Sequence, residues 1–374
     1  MAGIYIHIPF CRQACHYCNF HFSTTLHQKA ALVQAIVQEI ALTVPYAASE
    51  SIATVYFGGG TPSLLTVDEL GPILQALRNC FTVLPDAEIT LEANPDDITT
   101  DALHGWKTLG FNRLSIGIQS FLAEELQWMN RAHNEAQASN CITLAQQAGF
   151  RNLSVDLIYG SPLLSDADWR RNVETVVALG VPHISCYALT VEPKTALHHQ
   201  IKQQQKAAVD GDKQAAQFLL LMQWLAKAGY EHYEISNFAQ PGLRSRHNSS
   251  YWQGTPYYGF GPSAHSYDGK ARRWNIANNA LYIQALSKNT IPFEEEILTT
   301  TQQLNEYIMI ALRTMEGIDL QRVEQTFGTT KQQLILQAAE RYCKEGQALL
   351  LGNRLVLTDA GKLLADGIAA DLFF

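Results

Sequence analysis

Three cysteines stand close together: Cys11, Cys15 and Cys18 form a C-x3-C-x2-C pattern directly after an apolar run, Ile4–Ile8, that reads as a strand. Thiolates suit iron–sulfur clusters and zinc alike. Three of them can hold three irons of a cubane cluster and leave the fourth iron open. A structural zinc site closes with four ligands, and His16 or His21 could complete one. In a reducing compartment such a group reads as a metal site rather than as disulfides. Cys80, Cys141, Cys186 and Cys343 are scattered singly through apolar stretches and read as core packing.

Further polar residues fall at the ends of strand-like runs. Gly58-Gly59-Gly60-Thr61-Pro62 could bring backbone close to a ligand, and its plain alternative is a tight turn. Glu92 stands in Leu-Glu-Ala-Asn-Pro, Gln119 in Ile-Gly-Ile-Gln-Ser-Phe, Arg131 and His133 in Asn-Arg-Ala-His, and Asp156 in Val-Asp-Leu-Ile-Tyr-Gly. Glu92 and Arg131 could be surface charges, and Asp156 could cap a helix. Polar residues inside apolar strands are less often accidental, because an unpaired buried charge is costly.

The elements that must position them alternate regularly. Strand candidates are Ile4–Ile8, Ala53–Phe57, Glu88–Ala93, Arg113–Ile118, Leu153–Ile158 and His183–Leu189. Helical patterns lie between them, at Gln28–Thr43, Thr66–Phe81, Thr100–Leu109, Glu135–Ala148 and Asp166–Leu179. Six such alternations imply a parallel sheet with right-handed crossovers. The expected fold is an α/β partial (β/α)6 barrel, with an open doubly wound sheet as the alternative. Either puts chemistry at the C-terminal ends of the strands. A helix near 212–228 and a short strand near 232–235 follow. Residues 237–275 then read as an aromatic and basic loop segment. Helices are expected at 279–287, 300–313 and 318–346, and Gly352-Asn353 signals a hairpin before a last helix capped by Thr358. The expected division is therefore a barrel core over 1–236, the loop segment over 237–275, and a helical, winged-helix-like unit over 276–374.

Composition excludes several classes. The chain has 374 residues, 27 basic and 35 acidic, a net charge of −8, which disfavours a generic nucleic-acid binder. Hydrophobic residues at 47% with 17% charged imply a packed globular protein. No apolar run is long enough to span a membrane. No export signal is visible in the first residues, so a cytoplasmic location is expected.

The cysteine loop resembles that of the radical S-adenosylmethionine (SAM) superfamily, whose members use C-x3-C-x2-C for a [4Fe–4S] cluster with SAM on the open iron. Within it, Tyr5-Ile-His-Ile-Pro-Phe-Cys, Phe57-Gly-Gly-Gly-Thr-Pro-Ser, Ser115-Ile-Gly-Ile-Gln-Ser-Phe and Asp156-Leu-Ile-Tyr-Gly resemble the branch of oxygen-independent coproporphyrinogen III dehydrogenase and its relatives. The resemblance implies SAM contacts at Tyr5, Tyr17, Gly59, Gly60, Thr61, Glu92, Gln119, Arg131 and Asp156. Two features set the chain apart from the dehydrogenase. Phe20 stands where the dehydrogenase pattern has a further cysteine, and the first strand begins at Ile4 without that enzyme's N-terminal extension. Phe20 and His247-Asn-Ser-Ser-Tyr-Trp252 are instead similar to the sister family of haem chaperones, HemW, where the histidine of this motif is implicated in haem binding. Tyr233-Glu-Ile-Ser-Asn-Phe-Ala and Gly259-Phe-Gly-Pro-Ser-Ala-His resemble that family too.

The 237–275 segment suits a tetrapyrrole on its own terms. It holds eight aromatic residues, and Arg244, Arg246, Lys270, Arg272 and Arg273 oppose only Asp268. Rings can cover a flat macrocycle and guanidinium groups can pair propionates. His247 or His265 could ligate the iron. The plain alternative is a set of loop aromatics covering the barrel mouth. Residues 317–374 carry six basic and seven acidic side chains, so a packing or partner role is expected for the winged unit rather than DNA binding. The resemblance thus implies haem and acceptor haemoproteins as partners, with a [4Fe–4S] cluster, SAM and haem as the bound groups. A homodimer is one assembly the sequence allows.

Overall fold

The computed structural model describes residues 1–43 and 50–374. Strands β1 (Ala2–Ile8), β2 (Ile52–Gly59), β3 (Val83–Ala93), β4 (Arg113–Gln119), β5 (Asn152–Tyr159) and β6 (His183–Ala188) pair in parallel, each with the next. Their spatial order follows the chain without reversal. A doubly wound sheet needs a reversal where its helices change face. The fold is therefore the partial (β/α)6 barrel, and the sheet is not closed into a ring among the described residues.

Side-chain alternation builds the barrel's two faces. In β1, Ile4, Ile6 and Ile8 are fully buried in the main apolar core with the helices, and Gly3, Tyr5 and His7 face the concave side. In β3 the pattern is Ile89 and Leu91 outward with Glu88, Thr90 and Glu92 inward. In β5 it is Leu153, Val155 and Leu157 outward with Ser154 and Asp156 inward. A one-residue slip would bury the carboxylates under the helices, so this alternation fixes the register.

The segment 237–275 is not the mainly irregular stretch the sequence suggested. After β7 (Glu231–Glu234) it contributes β8 (Asn237–Ala239), a helix Arg246–Trp252, β9 (Tyr257–Phe260), β10 (His265–Tyr267) and β11 (Ala271–Asn275). β8 and β7 extend the sheet beyond β6. β9 joins β1 in parallel, and β10, β11 and β12 (Phe293–Ile297) follow in antiparallel. These strands are three to five residues long and broken by Gly and Pro, and β12 reads Phe-Glu-Glu-Glu-Ile. Such runs have weak intrinsic strand preference and are held by their neighbours. Glu39, in helix Lys29–Thr43, anchors this extension from the core. Its buried carboxylate accepts from Tyr282 Oη (2.5 Å), Asn275 Nδ2 (2.6 Å) and Gly261 N (2.8 Å). Glu39→Ala leaves three buried donors unpaired, and we expect a loss of about 3 kcal/mol in urea unfolding; an unchanged midpoint would remove this anchor.

Residues from Thr300 form a second apolar core around Ile308, Leu312, Ile318, Val323, Ile335 and Leu355. Here β13 (Ile318–Asp319) pairs with β15 (Arg354–Leu357), which pairs with β14 (Ala348–Leu351) across the expected hairpin. The single helix expected over 318–346 is two, Leu320–Phe327 and Thr329–Lys344, split at Gly328 with φ +94°. Ile235 N donates to Arg313 O (2.9 Å) and Met315 N to Tyr233 O (3.0 Å), joining this unit to the sheet edge. No helix among the described residues is long and apolar enough to cross a membrane.

Candidate functional site

The cysteine loop leaves β1 at the C-terminal end of the barrel. Cys11 N donates to Ser23 O (3.1 Å) and Ser23 N to Pro9 O (2.8 Å), closing its base. His16 N donates to Met129 O (3.1 Å) and Leu197 N to His16 O (2.7 Å), so the segments after β4 and β6 hold its far side. Lys206 adds a strap: its ammonium lies 2.8 Å from His16 Nδ1 and 4.3 Å over the Trp128 ring. Arg12 reaches the buried Asp97 carboxylate at 2.7 Å, which also accepts from Ser63 Oγ (2.7 Å).

All three loop thiols are unpaired. Burial raises the Cys11 thiol to about 11 and raises Cys18 too, so both are held as thiols until a metal takes the proton. Each of the two histidines weighed as a fourth zinc ligand has one ring nitrogen held by the protein. His16 Nδ1 faces Trp128 O (3.0 Å), and His21 Nε2 faces Asn279 Oδ1 (2.8 Å). Among the described residues no three His, Cys, Asp or Glu side chains gather around a point where one ion would sit. Three thiols on one loop, without a fourth ligand, suit a cluster with one open iron rather than a closed mononuclear site.

Two cationic or hydroxyl donors already point at these sulfurs. Thr61 Oγ1 donates to Cys11 Sγ (3.5 Å) and Arg131 Nη1 to Cys15 Sγ (3.3 Å). Arg131 Nη2 donates to Asn94 Oδ1 (2.9 Å) and Gly117 O (2.5 Å), while its Nε is buried with no partner among the described residues. A buried, unpartnered guanidinium nitrogen beside the thiols is what a carboxylate ligand would satisfy. Tyr17 lies against Arg131 and Cys15, its hydroxyl pushed far up by burial. His133, beside Arg131, donates through Nε2 to Ile118 O (3.0 Å); burial and that cation lower it to about 3, so it is neutral.

Below the loop the lumen holds two carboxylates. Glu92 Oε1 accepts from Tyr56 Oη (2.7 Å), and Asp156 Oδ1 from Ser115 Oγ (3.3 Å). Burial is the main cause that raises Glu92 to about 7 and Asp156 to about 6, and the nearby Asp156 charge adds to the rise at Glu92. Tyr5 stacks on Tyr56 at 6.2 Å and places its hydroxyl 3.2 Å from His7 Nδ1. Gln119 ends β4 at φ +69°, a left-handed conformation a non-glycine residue holds only under constraint.

The glycine motif is packed against protein more tightly than a free cradle would be. A Cβ on Gly59 (φ +106°) would lie 2.6 Å from the His7 ring, and one on Gly60 2.7 Å from Phe10 O. Gly58 is the one facing the lumen, where a Cβ would come 2.9 Å from Glu92 Oε1. Gly58→Ala should therefore crowd the Glu92 carboxylate together with the rings of Tyr56 and Tyr5, which would lie 2.9 and 3.0 Å from the added carbon. We expect calorimetric SAM affinity to drop about tenfold, the scale of one misplaced charged hydrogen bond; unaltered affinity would place the ligand elsewhere.

The structure thus places Cys11, Cys15, Cys18, Tyr17, Thr61, Gln119 and Arg131 at the C-terminal end of the barrel, with Tyr5, Glu92 and Asp156 on inward registers of its strands and Gly59 and Gly60 packed against β1. Asn94 and Ser115 were not singled out, and Gly58 was read only as part of its glycine motif. Their signal was position alone: each is polar or lacks a side chain at an inward register of β2, β3 or β4, or just past β3.

His247 lies apart from this group, under the opposite ends of the strands. It is 1% exposed, with Nδ1 at 2.8 Å from Thr54 Oγ1 and Nε2 at 2.9 Å from Tyr251 Oη. Both ring nitrogens of the residue that the resemblance implies for haem are thus hydrogen-bonded in this arrangement. The basic side chains of the segment are also largely taken. Arg244 pairs with Glu231 and Glu316, Arg246 with Asp86, Arg272 with Glu306 and Arg273 with Glu295. The glutamates of β12, across the ladder from Arg272 and Arg273, escaped the charge count because they lie outside 237–275. His265 is the exposed imidazole of the segment, stacked on Trp274 at 6.2 Å.

Residues 5–176 match the family described as radical SAM superfamily, and residues 298–364 match the HemN C-terminal domain. A Mycobacterium tuberculosis protein named heme chaperone HemW is 36% identical, over 99% of this chain and 94% of its own. The Bacillus subtilis heme chaperone HemW is 30% identical, over 98% of each chain. Among solved structures, coproporphyrinogen III oxidase (HemN) from Escherichia coli, a radical SAM enzyme, superposes with a TM-score of 0.86 at 24% identity, covering 100% of this chain and 90% of that one. That likeness concerns the fold.

Proposed function

Because this chain belongs to the haem chaperone HemW family of the radical SAM superfamily, we propose that it binds haem in the cytoplasm and passes it to acceptor haemoproteins. It would do so with a [4Fe–4S] cluster on Cys11, Cys15 and Cys18 and with SAM in the lumen. The observation that favours a chaperone over a dehydrogenase is Phe20. It occupies the place of the dehydrogenase's further cysteine, and its side chain is 68% exposed. The cluster, when bound, supplies one-electron reduction and an open iron for SAM. The chain's own residues do the holding. The free Nε of Arg131 suits the SAM carboxylate, Asp156 its ribose hydroxyls, and Glu92 its cationic end.

The test is incubation of reconstituted, reduced protein with SAM and coproporphyrinogen III, followed by mass analysis. The chaperone reading expects an unchanged porphyrinogen and stoichiometric haem binding in a parallel titration. Loss of two carboxyl groups from the substrate would return the chain to the dehydrogenases.

His265 is the accessible candidate for the haem iron's ligand, while His247 would have to leave Thr54 and Tyr251 first. His265→Ala should therefore shift the haem absorption band and weaken haem binding about tenfold or more, the order expected for losing a bond to a charged centre. Trp252 faces the C-terminal unit, with the Arg313 guanidinium 5.8 Å from its ring centroid, so Trp252→Ala should leave haem affinity near wild type. Haem titrating alike into wild type and His265→Ala would remove His265 from the site.

A further inference from the structure

The helix Arg246–Trp252 seals the lumen end opposite the cysteine loop. It is fixed there by a carboxylate from the barrel: buried Glu88 accepts from Arg246 N (3.2 Å) and His247 N (3.0 Å). Ser245 caps the same turn by accepting from Asn248 N (3.2 Å). The imidazole that this helix inserts is bound on every side. Its nitrogens bridge Thr54 on β2 to Tyr251 on the helix, and a Cβ on Gly3 of β1 would come within 3.5 Å of Nδ1. Burial lowers it to about 3, so it stays neutral and costs no buried charge.

Its flat face carries the consequence. The His247 ring stacks on Tyr56 with centroids 4.9 Å apart and planes 19° from parallel. Tyr5 lies against the same tyrosine at 6.2 Å and 22°. Tyr56 then donates its hydroxyl to Glu92 Oε1 at 2.7 Å. Glu92 is the carboxylate that the lumen presents beneath Gly58 and Gly59. A tyrosine without its support can tilt into the space below, and its hydroxyl would leave the carboxylate.

We propose that His247 is a positioning residue for SAM: from below the lumen it fixes Tyr56, and through Tyr56 the orientation of Glu92. The inference rests on the lumen being the SAM site, as read above. The side chain suits the task because it combines a ring to stack with two nitrogens to span Thr54 and Tyr251. Phenylalanine would keep only the stacking, and glutamine only a hydrogen bond.

The test is a double-mutant cycle on SAM affinity, measured by calorimetry on the reconstituted protein, with iron content and melting temperature as checks on folding. His247→Ala should weaken SAM binding about tenfold with iron content unchanged, and Tyr56→Phe should do the same. Combining them should cost little more than either alone, because both remove one chain of contacts. His247→Phe, which keeps the ring against Tyr56, should recover part of the loss. Additive effects, or full SAM affinity in His247→Ala, would overturn the proposal. Should His247→Ala fail to fold, Tyr56→Phe with full SAM affinity overturns it as well. Wild-type protein that loads iron but takes up no SAM would instead overturn the lumen assignment and this inference with it. Haem loss in His247→Ala with SAM affinity intact would make the residue a haem ligand.

Discussion

Alanine at Cys11, Cys15 or Cys18 is expected to take the reconstituted protein from about four irons per chain to nearly none, with the charge-transfer absorption of thiolate-bound iron lost in step. Three protein ligands are the minimum that leaves only one iron open, and the neighbouring histidines are tied to Trp128 O and Asn279. Cys80→Ala is the control. Cys80 packs against the main apolar core, and its loss should cost stability of about 1 kcal/mol without touching iron content. Thr61→Val is a finer probe, since it removes the donor to Cys11 and should alter the cluster's potential rather than its presence. Zinc in place of iron in anaerobically purified protein would overturn the cluster reading.

The barrel was legible because its signal is local. Ile4, Ile6 and Ile8 alternate with Tyr5 and His7, and that period identifies both the strand and its two faces. The extension β9–β12 was not, because its strands gain stability from register with β1 and from Glu39 behind them, neither of which is near in sequence. The pairing of Arg273 with Glu295 spans 22 residues and crosses the boundary drawn at 275, so a local charge count could not see it. The split at Gly328 is a different failure: helical periodicity continues across it, and only the left-handed backbone breaks it.

The cysteine loop was legible from spacing, and Glu92 and Asp156 from being carboxylates within apolar strands. What spacing did not reveal is depth along the strand. His247 and Arg131 are both polar residues on connections between strands, yet one enters beneath Thr54 and the other beside Cys15. That difference follows from which end of the barrel each connection crosses. The segment carrying Arg131 leaves the C-terminal end of β4, whereas the helix carrying His247 is captured by Glu88 near the start of the inward run of β3.

The two lumen carboxylates should make the free protein less stable, and its SAM binding stronger, as pH rises from about 5 to 7.5. Burial raises Glu92 to about 7 and Asp156 to about 6, against about 4 when unfolded. Between those values the folded state holds protons the unfolded chain has lost. Stability is therefore full below the unfolded value and falls as pH climbs through the folded ones. The upper limit is roughly 4 kcal/mol for Glu92, at about 1.4 kcal/mol for each tenfold change in proton affinity. Glu39 acts in the same direction through its own rise to about 7, so the comparison belongs in a Glu39→Gln background. A ligand cation reverses the preference, because it pairs with the ionised form. SAM should then bind with release of protons near pH 6, seen in calorimetry as a heat that depends on the buffer's ionisation enthalpy. Its affinity should weaken by up to about tenfold for each step of one in pH below the free-state transition, down to the lower bound-state one, per proton released. Glu92→Gln should remove most of that dependence while iron content holds. Affinity that stays level from pH 5 to 7.5 would mean that neither carboxylate meets the ligand's charge, and the lumen would then lose its claim to be the SAM site.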